Sequence, residues 1–311
     1  MSRVIVIIPT YKPDEKFLKL INRLEKQTVK PERIIVMNTE QKYFERLIYG
    51  THFLEEHKNI ETHHISRREF DHGRTRHLGM MKADGEFVLF MTQDAVPADD
   101  KLIEQLLVAF QEERAAVAYA RQLPDKNSGV IESYTRQFNY PSQGMVKSAK
   151  DIEELGIKTY FCSNVCAMYK KSIYEELGGF VRHTIFNEDM IFAAEAIKAG
   201  YKIVYRAEAQ VIHSHNYTGK EQLKRNFDLG VSQADHPEIF ADISSGKEGT
   251  KLVKQTAAYL RKSGNSKYLL RLVIQSGCKY LGYLLGRNYK KLPKKMVQSL
   301  TTNKTFWDNG K

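Results

Sequence analysis

The first hundred residues alternate short apolar, β-branched runs with amphipathic helical segments, and this alternation constrains the fold more than any other feature. Residues 4–8 are typical of a strand buried on both faces, and the acids after Pro13 begin a helix that runs to about Gln27. Strands that alternate with helices in this way form a parallel sheet covered on both faces. Further predicted elements are strands at 33–37, 60–65 and 86–91 and helices at 43–57 and 73–83.

The pattern continues less regularly through the middle of the chain. We predict a helix at 102–110 and a strand at 116–120, whereas 123–158 has no clear period and is predicted to be a mobile cover. Beyond it, strands are predicted at 161–169, 202–205 and 209–213, and helices at 172–177 and 190–199. The organisation that follows is an α/β domain over 1–220 and a basic helical region over 221–311.

Charge is distributed unevenly along the 311 residues. Residues 247–311 hold 15 basic and 2 acidic side chains, while residues 1–246 hold 33 basic and 35 acidic ones. A nearly neutral core with a basic tail indicates contact with an anionic surface, either phospholipid or nucleic acid. With only three cysteines, which cannot all pair, the sequence favours a reducing, cytoplasmic compartment over a disulfide-stabilised fold.

Three polar segments follow three of the predicted parallel strands. Ligands bind at the carboxyl ends of strands in such sheets, so these segments are the first candidate site. They are Pro9-Thr10-Tyr11, Asn38-Thr39-Glu40 and Thr92-Gln93-Asp94.

Two acidic positions have both a functional and a structural interpretation. Asp94 lies in a short polar loop after a buried strand, where a carboxylate can hold a hard divalent cation with help from substrate phosphates. It could equally be a turn residue before Pro97. Glu188 and Asp189 begin a helix, which suits either an N-terminal capping pair or a carboxylate general base at the edge of a site.

Histidines and arginines supply further candidates. His213 and His215 stand at i and i+2 on an extended segment, so their imidazoles point the same way towards a metal, a diphosphate or solvent. Arg74 and Arg76 lie in the first turns of a helix, where they favour a phosphate or the carbonyls of a base. Cys162 and Cys166 are interpreted as packed thiols, because they lack partners for a zinc site.

The basic tail contains an amphipathic helix at 268–287. A helical wheel groups apolar residues on one side and basic or polar ones on the other. Such a helix, followed by a lysine cluster and Trp307, predicts contact with an anionic bilayer through 267–311; the alternative is a helical subdomain packed on the core. The apolar group is Leu270, Val273, Ile274, Gly277, Leu281, Leu284 and Leu285, and the polar group is Lys267, Arg271, Gln275 and Lys279.

Taken in order, these motifs resemble an inverting glycosyltransferase of family 2 with the GT-A nucleotide-sugar-binding fold, a Rossmann-like mixed α/β sheet flanked by helices. The similarity extends over 4–217. It includes the strand ends at Pro9 and Asn38, Arg76, a DXD-like loop ending in Asp94, Gly178-Gly179-Phe180, Glu188-Asp189 and His213. The segments 70–76 and 92–97 are most similar to the bacterial rhamnosyltransferase branch.

The resemblance implies a role for each matching position. Asp189 would be the catalytic base, and Asp94 with His213 would bind Mg²⁺ or Mn²⁺. The nucleotide sugar would contact Pro9, Thr10, Tyr11, Asn38, Arg76, Thr92 and Gln93. Residues near the sugars or the acceptor would be Ser163, Asn164, Glu188 and His215. Thr92 replaces the first acid of the DXD motif, and Asn38 or Thr39 replaces the usual acid after the second strand.

The implied enzyme is a metal-dependent glycosyltransferase that moves L-rhamnose from dTDP-L-rhamnose to a hydroxyl of a lipid-linked cell-surface polysaccharide. It would act in the cytoplasm as a peripheral protein of the membrane's cytoplasmic face. The alternatives are a UDP-sugar donor, or an inactive nucleotide-sugar-binding protein whose tail binds membrane or nucleic acid. Nucleic acid is not the expected partner, because the core is nearly neutral and no nucleic-acid motif occurs.

Overall fold

The computed structural model of the chain describes residues 2–241 and 246–308, and in this part nine strands form one mixed sheet. The strands are β1 (Val4–Tyr11), β2 (Arg33–Thr39), β3 (Ile60–Ile65), β4 (Phe87–Met91), β5 (Val96–Pro97), β6 (Ala115–Leu123), β7 (Met145–Lys147), β8 (Cys166–Lys170) and β9 (Lys202–Ile212). They lie side by side in the order β3-β2-β1-β4-β8-β6-β9-β5, and β7 pairs with β9.

Helices cover both faces of the sheet and form the C-terminal region. Those of the catalytic core are α1 (Glu15–Glu25), α2 (Gln41–Ile48), α3 (Phe53–Glu56), α4 (His72–Lys82), α5 (Leu102–Val108), α6 (Val130–Asn139), α7 (Ile152–Leu155), α8 (Lys171–Glu176) and α9 (Glu188–Lys198). Those that follow are α10 (Gly219–Asp235), α11 (Pro237–Phe240), α12 (Gly246–Lys262), α13 (Leu269–Arg287) and α14 (Lys294–Leu300).

The predicted parallel half of the sheet is present. β1 pairs in parallel with β2 and β4, and β2 pairs in parallel with β3. Alternate residues of β1 enter the two apolar layers, with Ile5 and Ile7 on one face and Val6 on the other, as a strand covered on both faces requires. The helix predicted at 43–57 is two helices, because the chain turns at Gly50 with a positive φ of 72°.

The second half of the sheet reverses direction at β8. This strand is antiparallel to both of its neighbours, β4 and β6, whereas β9 runs parallel to β6. The amino end of β8 therefore lies at the same edge of the sheet as the carboxyl ends of β4, β6 and β9. Four chain segments that are distant in sequence meet at this edge.

The middle of the chain is more ordered than its sequence predicts. Residues 123–158, in which the sequence shows no clear period, contain the regular elements α6, β7 and α7. The apolar residues of α6 (Val130, Ile131, Tyr134 and Phe138) do have helical spacing, whereas β7 is too short, at three residues, to show a period. The strand predicted at 161–169 is limited to β8, and the two predicted at 202–213 are one strand, β9, whose register with β6 shifts at Ala120/Arg121.

The C-terminal region packs on the core through closely apposed helices. α13 crosses α10 at glycines: a Cβ atom on Gly282 would lie 2.1 Å from the carbonyl oxygen of Leu223. Further along, Asp228 of α10 accepts hydrogen bonds from the Thr301 and Thr302 hydroxyls. The predicted ranges 221–311 and 267–311 include residues 242–245 and 309–311, which lie outside the described residues.

Close packing on α10 leaves the opposite side of α13 in solvent. Leu270, Val273 and Ile274 are 71%, 64% and 55% exposed, and Leu281 is 50% exposed. Trp307, by contrast, packs against other aromatic rings of the C-terminal segment, so we leave it out of this exposed apolar surface. Across residues 2–241 and 246–308, every helix is too short or too polar to cross a bilayer.

The glycine contact predicts different effects for one substitution at two sites of α13. Gly282→Ala places a methyl group against the α10 backbone and should lower the free energy of unfolding by about 1–3 kcal/mol. Gly277→Ala is the matched control, because nothing lies within 4 Å of its Cβ position; it should be neutral or stabilising by up to about 1 kcal/mol. Chemical denaturation measures both, and equal midpoints would contradict the packing described.

Candidate active site

The polar ends of β1, β2 and β3 meet in one hydrogen-bonded group. The Thr10 hydroxyl donates to Asn38 Oδ1 at 2.9 Å, and Asn38 Nδ2 contacts His64 Nδ1 at 2.9 Å. Thr10 and Asn38 are buried, and Pro9 precedes them on β1 beside Met37. Burial lowers the pKa of His64, which favours the neutral ring that accepts this hydrogen bond.

The backbone of Tyr11 is held by the loop after β4. Gln93 Oε1 accepts from the Tyr11 amide at 2.8 Å, and Gln93 Nε2 donates to the Tyr11 carbonyl at 3.2 Å. The Tyr11 ring meets Tyr43 edge to face, with centroids 5.6 Å apart, and the Arg67 guanidinium lies 5.6 Å from its centroid. Aromatic rings and an arginine at this edge offer stacking surfaces for a planar base.

Asp94, His213 and His215 bring three potential metal ligands together. The two Nε2 atoms are 3.1 Å apart, and the Asp94 carboxylate lies 3.5 Å from His213 Nε2 and 3.2 Å from His215 Nε2. Ligand atoms about 2.1 Å from a metal lie about 3 Å apart when they meet at right angles. The three atoms thus fit one face of a metal's coordination sphere.

The protonation states of this cluster also suit a cation. Burial and the neighbouring His213 lower the pKa of His215 to about 4, so its ring is neutral at pH 7. Burial opposes ionisation of Asp94, but the contacts with the two imidazoles outweigh it and lower the pKa of its carboxyl, which is ionised at pH 7. Neutral imidazoles and a carboxylate are the forms that bind divalent metals.

Gln122, at the end of β6, fixes the tautomer of His213. Its Oε1 lies 3.0 Å from His213 Nδ1 and also accepts from Arg136 Nη1. An oxygen in both contacts is an acceptor, so Nδ1 carries the hydrogen and Nε2 is left with its lone pair facing Asp94. The Gln122 amide nitrogen donates to the hydroxyls of Tyr140 and Ser163, which orients the side chain.

Asp189 and Glu188 form a pair with contrasting surroundings at the start of α9. Asp189 is partly exposed and accepts from the amides of Asn164 and Met190 at 2.9 and 2.8 Å. Glu188 is buried; it contacts Arg76 Nη1 at 3.1 Å and accepts from Asn164 Nδ2 at 3.0 Å.

Their pKa values are driven apart by this arrangement. Burial and the charge of Glu188 raise the pKa of Asp189 to about 7. Burial also opposes ionisation of Glu188, but the charges of Arg76 and His72 and the Asn164 hydrogen bond lower its pKa. Two carboxylates kept in different states are typical of an acid–base site. Glu188 is the permanent anion, and Asp189 is the carboxylate that exchanges a proton near neutral pH.

Residues 163–164 connect the base to the metal-ligand cluster. Ser163 contacts Gln122, which contacts His213, while Asn164 holds both Glu188 and Asp189. The segment is fixed at the sheet edge because the Thr92 amide donates to the Val165 carbonyl at 3.1 Å. Nucleotide-side, metal-side and base-side residues therefore belong to one continuous site.

The comparison with protein families identifies this arrangement. Residues 5–178 match the profile described as "Glycosyl transferase family 2". The chain belongs to glycosyltransferase family 2. It is 39% identical over 309 residues, 99% of this chain and 96% of the relative, to the O-antigen chain rhamnosyltransferase RfbN of Salmonella typhimurium. Identity is 37% to the O-antigen chain rhamnosyltransferase WbaN of Salmonella anatum, over 99% and 97% of the two chains.

Solved structures confirm the fold predicted for this family 2 enzyme. The mannosyltransferase PcManGT of Pyrobaculum calidifontis, solved with GDP-Man and Mn²⁺, has a TM-score of 0.56 at 13% identity, covering 99% of this chain and 85% of that one. TarS 1-349 of S. aureus, solved with UDP-GlcNAc, has a TM-score of 0.52 at 15% identity, covering 93% and 92%. The GT-A architecture is thus shown, and the chain is a glycosyltransferase.

Sequence reasoning found most of this glycosyltransferase's candidate residues but missed several partners. Gln122, Arg136 and Tyr140 lie in or beside the segment without a clear period. His64 and Arg67 were also missed; they lie at and just after the end of β3, and they could have been found because β3 ends at the same edge of the sheet as β1 and β2. Arg76, predicted to contact the base, lies against Glu188 and the His72 carbonyl. His215, predicted near the sugars, joins the metal-ligand cluster.

The contact between Gln122 and His213 predicts the metal affinity of two variants. Gln122→Met removes the acceptor that fixes the His213 tautomer and should weaken Mn²⁺ binding roughly 10–100-fold. Gln122→Glu keeps an acceptor for both His213 and Arg136, so its affinity should remain near the wild-type value. Calorimetric titration with Mn²⁺ measures both; equal losses would contradict a role in fixing the tautomer.

The Glu188–Asp189 pair predicts the pH dependence of transfer. A base must be ionised, so kcat/KM should fall tenfold per pH unit below about 7, the pKa of Asp189. Glu188→Gln removes the adjacent negative charge, lowers the pKa of Asp189 and should shift this acid limb to lower pH. Glu195→Gln, an exposed carboxylate of the same helix, is the control and should leave the limb in place. An unmoved limb in Glu188→Gln would contradict the coupling.

Proposed function

We propose that this enzyme transfers L-rhamnose from dTDP-L-rhamnose to a hydroxyl of a lipid-linked cell-surface glycan, with inversion at the anomeric carbon. The observation that carries the proposal is the continuous site in which hydrogen bonds through residues 163–164 link Asp189 to Gln122 and to the Asp94–His213–His215 cluster. The rhamnosyl donor is supported by the two relatives named as O-antigen chain rhamnosyltransferases over nearly their whole length.

The donor is assigned to the edge formed by β1, β2 and β4. We assign the base and ribose to the group of Thr10, Tyr11 and Asn38, with Gln93 bracing the Tyr11 backbone. Pro9 and Thr92 shape the strand ends of this pocket. Arg76 is assigned to the Glu188 side, where its charge keeps that carboxylate ionised.

The metal site is proposed as Asp94, His213 and His215. Two imidazoles and one carboxylate form a donor set that suits Mn²⁺ better than Mg²⁺, which prefers oxygen ligands and retains its waters. A bound divalent cation would neutralise charge on the diphosphate leaving group. The chain's own contribution is to hold the three ligand atoms at the spacing described and to keep the His215 ring neutral.

Asp189 is proposed as the general base. It takes the proton of the acceptor hydroxyl as that oxygen forms a bond to the anomeric carbon. The bond from this carbon to the diphosphate oxygen breaks on the opposite face, and dTDP leaves with the bonding electrons. A single displacement inverts the configuration, so a β-linked donor gives an α-rhamnoside, and no enzyme nucleophile is required.

The donor assignment predicts the outcome of a binding screen. Calorimetry with dTDP-rhamnose, UDP-glucose, UDP-N-acetylglucosamine and GDP-mannose should show the tightest binding for dTDP-rhamnose with Mn²⁺, weakened tenfold or more by EDTA. Asp94→Asn should remove this metal dependence, and Asp100→Asn, an exposed acid beyond the site, should not. Tightest binding of a UDP-sugar would show that the donor is a UDP-sugar and not dTDP-rhamnose. Failure to bind any donor would contradict the transferase assignment.

Peripheral attachment to the cytoplasmic face of the membrane is proposed through α13. Leu270, Val273, Ile274 and Leu281 form an exposed apolar surface, with basic side chains beside it at 267 and 271 and in the cluster 290–295. Apolar side chains with flanking cations suit the boundary between headgroups and acyl chains of an anionic bilayer. The three unpaired cysteines fit a reducing compartment.

The membrane surface predicts the behaviour of two matched double variants. Val273→Ser with Ile274→Ser should weaken binding to phosphatidylcholine–phosphatidylglycerol vesicles by roughly tenfold or more. The reason is that two apolar side chains, whose transfer from water into the bilayer would favour binding, are replaced by polar ones. Leu54→Ser with Met81→Ser removes equally exposed apolar residues elsewhere and should bind like the wild type. Retention on DNA with no retention on vesicles would favour the nucleic-acid alternative for the tail.

A further inference from the structure

A cavity of about 250 Å³ lies between α6, the segment after β9 and α13. Its walls include His215 of the metal-ligand cluster and the aromatic ring of Tyr217, which stacks on His215 at 4.9 Å. The cavity therefore adjoins the site where the diphosphate of the donor is assigned. Neither the base Asp189 nor the nucleotide-side residues line it.

The wall supplied by α13 is cationic. Arg271, Gln275 and Lys279 succeed one another at i, i+4 and i+8, so they form one stripe along the helix, and all three line the cavity. Among the described residues, Arg271 and Lys279 have no ion-pair partner. Glu132, the carboxylate of the cavity wall, is already bound to Arg136 at 2.7 Å. Burial lowers the pKa of Lys279, as occurs for an ammonium group held away from water without a counter-ion.

A shallower groove continues from this cavity towards the exposed apolar surface of α13. It shares Arg271 and Gln275 with the cavity and adds Lys267, Leu270 and Ile274. A path therefore leads from apolar side chains, past two cations, to His215. This order matches a molecule with a hydrocarbon chain, then an anionic group, then a sugar.

We propose that the cavity between α6 and α13 is a subsite for the phosphate groups that join a lipid-linked acceptor to its hydrocarbon chain, held by Arg271 and Lys279. The assignment rests on the proposed function, since it places the acceptor's lipid end at the membrane surface and its glycan towards the metal-ligand cluster. Two cations without partners stabilise a diphosphate more strongly in a partly buried cavity than on an open surface.

The test measures binding without donor or metal, so it does not depend on the identity of the sugar. Calorimetry in EDTA compares a short-chain alkyl diphosphate, the corresponding alcohol and inorganic pyrophosphate. The alkyl diphosphate should bind the wild type at least tenfold more tightly than either of the other two. In Arg271→Gln with Lys279→Gln its affinity should fall at least tenfold.

A control variant removes the same charge elsewhere on the tail. Lys251→Gln with Lys254→Gln, two exposed lysines of α12 outside the cavity, should bind the alkyl diphosphate like the wild type. Arg271→Gln alone changes an exposed side chain and should still weaken binding severalfold, which keeps the test decisive if the double variant is unstable. If pyrophosphate bound as tightly as the alkyl diphosphate, the cavity would be a site for soluble anions. If both double variants lost the same affinity for the alkyl diphosphate, the effect would come from the overall charge of the tail. Either result overturns the proposal.

Discussion

The antiparallel pairing of β8 with β4 and β6 is the constraint on which the active site depends. A wholly parallel sheet would place the amino end of β8 at the edge opposite to Asp94. The reversal instead sets Ser163 and Asn164 beside the loop that follows β4, and the parallel run of β9 along β6 brings His213 next to Gln122. The candidate metal ligands, Gln122 and the proposed base Asp189 are thereby brought together from four segments of the chain.

Electrostatics then give the neighbouring carboxylates different tasks. Asn164 contacts both, but the Arg76 guanidinium pairs directly with Glu188, so burial is compensated more fully at Glu188 than at Asp189. The uncompensated group, Asp189, keeps a raised pKa and remains partly exposed. The adjacent anion thus raises the pKa of Asp189, which suits the role of general base proposed for it.

The sequence predicted the parts of the molecule whose signals are local. Runs such as 4–8 and 87–91 mark buried strands, and polar residues after them mark a site edge, so Asp94, Asn38 and Thr10 could be found before the structure. Gln122 and Arg136 could not, because a polar residue late in a strand and an arginine on a half-buried helix resemble ordinary solvent-facing positions. Only the pairing of β6 with β8 and β9 shows that Gln122 faces His213. The roles assigned to the site residues stay predictions until the variants are measured.

A helical wheel alone does not predict which face of α13 packs on the core. Its apolar residues outnumber those needed for one buried face, and the wheel could not decide which of them face the core. Gly282 and Gly286 decide it, because their missing side chains let the α10 backbone approach to a distance that any Cβ atom would block. Because these glycines must face α10, the rotation of α13 about its own axis is fixed. Leu270, Val273 and Ile274 must face outward, while Arg271, Gln275 and Lys279 must face the cavity beside His215. The same packing contact thus leaves the apolar surface exposed to solvent and turns the cationic stripe towards the cavity beside His215.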